Sequence, residues 1–249
     1  MPKIELIQGD CLEVMKDIPD KSIDMILCDL PYGTTACKWD TIIPFEPLWE
    51  QYKRIIKDNG AIVLFGAEPF SSYLRLSNIK DYKYDWVWNK KRPTGFALVK
   101  KQPMRQHEII SVFYGSRCCY NRQFLDKKKE NQRPNKRKTN TESPYTTSVI
   151  VNNIKPKFSD EWEDTKTNPM SILEFSNPNY NKLHPTQKPV ALFEYLIKTY
   201  TNEGDLVLDN CMGSGTTGVA CKNLNRNFIG IEKDPECFKI AEKRINENI

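Results

Sequence analysis

Asp29, Leu30, Pro31, Tyr32 and Gly33 put a carboxylate, backbone carbonyls and an aromatic face into one short stretch. Pro31 fixes its own φ and biases Leu30 towards an extended conformation, so the carbonyls of this turn are held rigidly. The stretch carries neither a nucleophile nor a metal-ligand set. It offers hydrogen-bond acceptors beside a flat surface, which suits a planar amino group such as the exocyclic amine of a nucleobase. A β-turn with an N-capping Asp would use the same residues. The rest of the chain decides between them.

A second constellation lies near the other end. Gly213, Gly215 and Gly218 form G-x-G-x-x-G between an apolar run at 206–208 and a helical stretch, and Glu232 closes the next apolar run. Glycines there let backbone approach a ligand, and an acid at the tip of the second strand can grip ribose hydroxyls. No Lys follows the glycines, which excludes a P-loop. A dinucleotide-dependent oxidoreductase is the main rival. Against it, only one strand–helix–strand–helix unit remains after Gly213, too little for a dinucleotide fold. The other strands must come from the N-terminal half, so the domain reads as circularly permuted. Its third strand then ends at Gly9-Asp10, which sets Asp10 beside Glu232.

The elements that must position these groups are legible as apolar periodicity. Strands are expected at 3–8, 23–28, 61–65, 82–88, 109–114, 206–208 and 228–231. Helices are expected at 11–18, 48–56 (capped by Asn59-Gly60), 70–76, from Pro189 to Gly204, 217–223 and 235–244. Residues 34–40 read as a polar loop with Trp39 as a gate. Strands alternating with helices indicate an α/β fold with a doubly wound, mostly parallel sheet. Tyr84, Trp86 and Trp88 read as sheet core.

Composition sets the outer bounds. The 249 residues suffice for one large α/β domain with an insertion. No apolar run reaches membrane-spanning length, and the first residues lack a signal-peptide core, so a cytoplasmic protein with no membrane role is expected. The eight cysteines include no Cys-x-x-Cys, and with only His107 and His184 beside them a zinc site is not expected. They read as reduced, mostly buried thiols. Charge is concentrated. Lys127, Lys128, Lys129, Arg133, Lys136, Arg137 and Lys138 face only Asp126 and Glu130 within residues 126–140. A solvated loop and a phosphate-contacting arm both fit that run. Residues 116–172 read as an inserted, basic target-recognition region, leaving 1–115 and 173–249 as the catalytic domain.

Taken in order, these motifs resemble the amino-methylating DNA methyltransferases of the β arrangement, the adenine-N6 and cytosine-N4 enzymes. Asp29-Leu30-Pro31-Tyr32 is similar to the family's catalytic Asp-Pro-Pro-Tyr, with Leu30 in place of the first proline. Residues 209–217 resemble the loop that binds S-adenosyl-L-methionine (AdoMet), Glu232 the ribose-binding acid, and Gly9-Asp10 the adenine-contacting motif. His184-Pro185-Thr186-Gln187-Lys188-Pro189 resembles the motif beside the methionine end of AdoMet. The resemblance implies a Rossmann-like, circularly permuted methyltransferase domain. It implies catalytic roles for Asp29, Leu30, Pro31 and Tyr32. It implies cofactor contacts from Asp10, Cys11, His184, Thr186, Lys188, Asp209, Cys211, Gly213, Ser214, Gly215, Thr216, Thr217 and Glu232.

In such an enzyme Asp29 and the Leu30 carbonyl accept the two N–H bonds of the target amine, exposing its lone pair to the AdoMet methyl, while Tyr32 stacks on a base flipped out of the duplex. An Asp at the first motif position is more typical of adenine enzymes and a Ser of cytosine-N4 enzymes, so adenine N6 is expected and cytosine N4 is the alternative. A C5-cytosine enzyme would need a Pro-Cys nucleophile, which the chain lacks. A catalytically silent DNA-binding relative fits poorly with intact motifs. The partner implied is double-stranded DNA. A cognate restriction enzyme and a homodimer stay open.

Overall fold

The computed structural model describes residues 2–33, 40–126, 165–177 and 187–247. They form two compact units, one of residues 1–121 with 170–249 and one of residues 122–169. In the larger unit β1 (Ile4–Gln8) leads into a short helix α1 (Cys11–Val14), and β2 (Ile23–Cys28) follows. The chain continues through α2 (Phe45–Ile55), β3 (Ile56–Gly66), α3 (Phe70–Ser77), β4 (Tyr82–Thr94) and β5 (Arg105–Phe113). In the smaller unit, β6 (Leu125–Asp126) pairs antiparallel with β7 (Lys166–Thr167). The larger unit resumes with β8 (Ile172–Glu174), α4 (Val190–Tyr200), β9 (Leu206–Asp209), α5 (Thr216–Asn223), β10 (Asn227–Glu232) and α6 (Pro235–Glu247).

Eight strands form one sheet in the order β1-β10-β9-β2-β3-β5-β4-β8. The first five run parallel, β5 is antiparallel to both neighbours, and β8 is parallel to β4. Strand residues alternate between two cores, as a sheet buried on both faces requires. Ala61, Val63 and Phe65 pack with α4, α5 and α6 on one face, and Ile62 and Leu64 with α1, α2 and α3 on the other. The sheet is therefore doubly wound, and the permuted order is real: the pair β9–β10, late in the chain, lies between its first two strands, β1 and β2.

Four expectations need correction. Asn59 and Gly60 do not cap α2, because β3 starts at Ile56 and contains both. Gly60 is needed where β3 approaches the Asp24 carbonyl, 2.9 Å from where a Cβ would stand. Gly204 does not end α4, which stops at Tyr200 with Thr201 as its C-cap. Gly204 instead takes φ +83° in the next turn. The insertion is also shorter than 116–172. Asn121 belongs to the larger unit through bonds to the carbonyls of Thr199 and Thr201, at 2.7 and 2.9 Å. Ile172 belongs to it through its pairing with Val87. Finally, β4 and β5 run well beyond the expected 82–88 and 109–114.

Trp86 and Trp88 are core, as expected. The Trp86 indole N–H donates to the Tyr200 hydroxyl at 2.7 Å, and Tyr84 shares a 2.8 Å bond with the same oxygen. Tyr200→Phe strands the buried indole donor and should cost about 1–3 kcal/mol. Chemical denaturation measures it, and a loss below about 0.5 kcal/mol, the range of neutral surface changes, would contradict the assignment.

Candidate active site

Four neighbouring strands, β1, β10, β9 and β2, end side by side at the carboxyl edge of the sheet, and each ends in a predicted functional group. Gln8 pairs with Glu232, Gly230 with Asp209, and Leu208 with Ile26. Asp10, Glu232, the glycine loop and Asp29 therefore form a row. The chain leaves β9 towards β10 and leaves β2 towards β3, in opposite directions, so a crevice opens between them at a topological switch point.

Asp29 begins where β2 stops. The Tyr32 hydroxyl donates to its Oδ1 and Lys188 Nζ to its Oδ2, the latter at 2.6 Å. Lys188 Nζ also stands 3.2 Å from Glu108 Oε2, whose other oxygen is 3.3 Å from Lys90. Charges thus alternate along Asp29, Lys188, Glu108 and Lys90. The Lys188 ammonium further lies 5.5 Å from the Phe65 ring centroid and 6.0 Å from that of Trp88. Burial opposes the charge on Lys188, but Asp29 and Glu108 outweigh it and hold its pKa up. Burial likewise opposes the charge on Glu108, and Lys188 and Lys90 outweigh it and hold its pKa down. Tyr32 is a poor acid, because burial and then the adjacent Asp29 carboxylate push its hydroxyl up. Its ring packs on Phe70 with centroids 5.1 Å apart. The Leu30 side chain is buried in the core. At the far end of the turn the Gly33 N–H donates to Asp40 at 2.8 Å.

At the glycine loop most of the polar residues are spent on the loop itself. Asp209 accepts from the Thr217 hydroxyl and, at 3.1 Å, from the Cys211 N–H. Arg244, buried in α6, donates to the Ser214 carbonyl at 3.0 Å and to the Thr216 hydroxyl at 2.9 Å. Asp209, Ser214, Thr216 and Thr217, expected at the cofactor, therefore shape its cradle from within. Gly215 does the same. It adopts φ +76°, and a Cβ would fall 2.9 Å from Ile245 in α6. Gly213 differs, since at φ +52° a Cβ there would meet nothing within 4 Å. This is backbone facing open space, and a nucleoside-bearing ligand can lie against it. Glu232 stands beside it, accepting from the Gly213 N–H and the Asp234 N–H at 2.8 Å each. A carboxylate has about four acceptor positions, so two remain for ribose hydroxyls. Asp10 caps α1 through the Leu12 N–H at 3.0 Å and meets Lys233 at 3.0 Å. The donor set and the open Gly213 backbone fit AdoMet.

The Cys211 thiol neighbours those of both Cys11 and Cys28. For Cys11 the bond to Cys211 and then burial raise the pKa, and for Cys28 burial pushes it up to about 12. Such thiols stay protonated and are not nucleophiles. Every cysteine among the described residues is free, and those residues hold no cluster able to ligate a metal. No described helix is long and apolar enough to cross a membrane.

Lys188 is the main surprise. Expected at the cofactor, it donates to the Asp29 carboxylate. Glu108, Lys90 and Arg244 were not singled out from the sequence; Glu108, the one acid of β5, abuts an apolar run and was available as a signal, whereas Lys90 sits in the basic run Lys90-Lys91-Arg92 and gives none. Trp39, His184, Thr186 and the basic residues Lys127, Lys128, Lys129, Arg133, Lys136, Arg137 and Lys138 lie outside the described residues.

The DNA methylase family model of N6 and N4 type matches residues 23–243. The type II methyltransferase M.HpaI of Haemophilus parainfluenzae is 30% identical over 97% of this chain and 74% of its own length. M.HinfI of Haemophilus influenzae, also a type II methyltransferase, is 29% identical over 97% of this chain and 68% of its own. The crystal structure of the M1.HpyAVI–SAM complex superposes with a TM-score of 0.62 at 27% identity, covering 97% of this chain and 99% of the other. The cytosine-N4-specific PvuII DNA methyltransferase shares the fold at TM-score 0.69 and 17% identity, over 98% and 86% of the two chains.

Burial pushes the Asp209 pKa up to about 7 despite the bonds it accepts. A carboxyl whose folded value exceeds its unfolded value of about 4 holds an extra proton in the folded state. Its stabilising contribution is complete below that unfolded value and is lost as pH rises through the folded one. Thermal unfolding of wild type and Asp209→Asn between about pH 4 and pH 8 should therefore show the variant gaining on wild type as pH rises. A constant difference would contradict the shift.

Proposed function

The chain belongs to the N6/N4 DNA methylase family, and within it we propose that the protein transfers a methyl group from AdoMet to the exocyclic N6 of an adenine flipped out of duplex DNA. The observation that carries this reading is the position of Asp29, a carboxylate at the end of β2, one strand from the glycine loop that ends β9. AdoMet held there would supply an electrophilic methyl on sulfur, its sulfur leaving as a neutral thioether while the methylated nitrogen gives up one proton to solvent. All else is done by the chain. Gly213 backbone and Glu232 bind the nucleoside half, with Asp10 at the adenine.

Asp29 is the acceptor for the target amine. Tyr32 and Lys188 occupy one position on each of its oxygens, and the free positions accept N–H from the base. An arylamine is a weak nucleophile because its lone pair is delocalised into the ring. Drawing both N–H bonds out of the ring plane, towards Asp29 and the Leu30 carbonyl, localises that lone pair. Holding the carboxylate from two sides fixes where the amine must sit, and much of the acceleration comes from that placement. Lys188 is thus a positioning residue for Asp29, and Glu108 and Lys90 position Lys188. With its hydroxyl on Asp29 and one face on Phe70, Tyr32 keeps its other face for the base. His184, Thr186 and Cys11 are assigned to the methionine and adenine ends of the cofactor on the resemblance of their motifs. The basic run from Lys127 to Lys138 is assigned to DNA phosphates.

Adenine is favoured over cytosine N4 by Asp29, since a Ser is common at that place in the cytosine-N4 enzymes. The amines are chemically alike, so one experiment decides both activity and base. Duplex DNA treated with the protein and AdoMet should yield N6-methyladenine on nucleoside mass spectrometry. Asp29→Ala should abolish it with AdoMet affinity within about threefold of wild type, because a lost positioning contact acts on rate and leaves binding alone. N4-methylcytosine alone would overturn the choice of base, and turnover by Asp29→Ala would overturn its role.

A further inference from the structure

The antiparallel pair β4–β5 continues past the sheet as a two-stranded ribbon. Gly66, the last residue of β3, pairs with Ile109, so residues 105–108 of β5 lie beyond the carboxyl end of β3. At roughly 3.4 Å per residue, that carries the ribbon on the order of 14 Å above the edge where Asp29 sits. Asn89 pairs with His107 and Thr94 with Arg105 across it. Its base is fixed to the catalytic turn, because Lys90 and Glu108 are the far members of the charge chain that ends on Asp29.

Every residue from 91 to 107 is exposed. A hairpin with neither face buried gains almost nothing from the hydrophobic effect, yet this one ends in apolar residues. Phe96 is 79% exposed, with Leu98 and Val99 at 47% each. The tip is nonetheless an ordered short helical turn, closed by bonds from the Leu98 N–H to the Gly95 carbonyl and from the Val99 N–H to the Phe96 carbonyl, at 3.0 and 3.1 Å. Gly95 makes the turn possible at φ +89°. Charge along the ribbon has one sign. Residues 90–107 contain Lys90, Lys91, Arg92, Lys100, Lys101 and Arg105 and no acid. Among the described residues, Lys100, Lys101 and Arg105 form no ion pair.

We propose that residues 89–107 are a DNA-binding wedge, whose Lys100, Lys101 and Arg105 grip phosphates beside the target while Phe96 enters the base stack next to the flipped nucleotide. The inference rests on the DNA methyltransferase reading above. A two-stranded β-ribbon has the width of a DNA groove, and a purely cationic one matches a polyanion. Apolar side chains inserted between base steps offset part of the cost of unstacking, a few kcal/mol per step. A target base taken out to Asp29 leaves a gap in the stack, and a Phe ring at the tip of this ribbon is of a size to fill it. The ribbon thereby adds a second DNA contact to the basic run at 127–138, one tied mechanically to Asp29.

The test uses the full chain and a synthetic duplex carrying the site that sequencing of wild-type product identifies. Two versions are compared, one with the target normally paired and one with it opposite an abasic position, where extrusion is already cheap. Phe96→Ala should lose about tenfold or more in single-turnover methylation of the paired duplex and recover to within about threefold of wild type on the abasic one. Its AdoMet affinity should be unchanged. Changing Lys100, Lys101 and Arg105 together to Gln should weaken DNA binding and flatten log K against log salt by about 0.9 per lost phosphate contact. Wild-type rates for Phe96→Ala on the paired duplex, or an equal loss on both duplexes, would overturn the wedge. So would an unchanged salt slope in the triple variant, or a change in oligomeric state as the sole effect of either. Wild type that methylates neither duplex nor any other DNA would overturn the underlying methyltransferase reading instead.

Discussion

A carboxylate that must both sit in a half-buried turn and point at a substrate needs its charge compensated, and Lys188 does this for Asp29 at 2.6 Å. The compensation is itself compensated. Lys188 is nearly buried among Phe65, Trp88 and Glu108, and Glu108 in turn meets Lys90. Two acids and two lysines make a neutral chain, so no member is left as an isolated charge in an apolar place. Buried pairs of this kind add little net stability, but removing one member typically costs 3–5 kcal/mol, because its partner stays behind uncompensated. Their value is geometric. The chain ties β5 at Glu108, β4 at Lys90 and the entrance to α4 to the Asp29 carboxylate at the end of β2.

The cofactor side follows a different logic. There the polar residues of the glycine loop face inwards, on to Asp209 and Arg244, and the surface left for a ligand is backbone, presented at Gly213 next to Glu232. A loop stiffened from within presents its N–H and C=O groups without reorganising on binding. The shared crevice between β9 and β2 then brings a backbone cradle and a carboxylate acceptor to adjacent strand ends.

Much of this was legible in the sequence because it depends on short-range pattern. The apolar run at 23–28, the glycine spacing and the acid at 232 each announce a strand end, and the permuted order follows from counting the units after Gly213. What the sequence hid depends on partners far along the chain. Lys188 lies in a motif that points to the cofactor, and only the fold brings it to Asp29, 159 positions away. Glu108 and Lys90 read as ordinary strand polar residues until β4 and β5 are paired. The extent of β3 was underestimated because Asn59-Gly60 is a strong local stop signal that parallel pairing with β2 overrides. Thr216 and Thr217 stand in the glycine loop, but their hydroxyls turn to partners the local pattern does not show, Thr216 to Arg244 in a helix that starts some twenty residues later and Thr217 to Asp209.

Lys188→Met separates a role at Asp29 from a role at the cofactor. AdoMet affinity by calorimetry and the single-turnover methylation rate at saturating AdoMet are measured on the same preparation. With Lys188 positioning Asp29, the variant's dissociation constant should stay within about threefold of wild type and its rate should fall by about a hundredfold or more, the scale of a misplaced catalytic group. A large loss of AdoMet affinity with a rate near wild type at saturation would contradict that role.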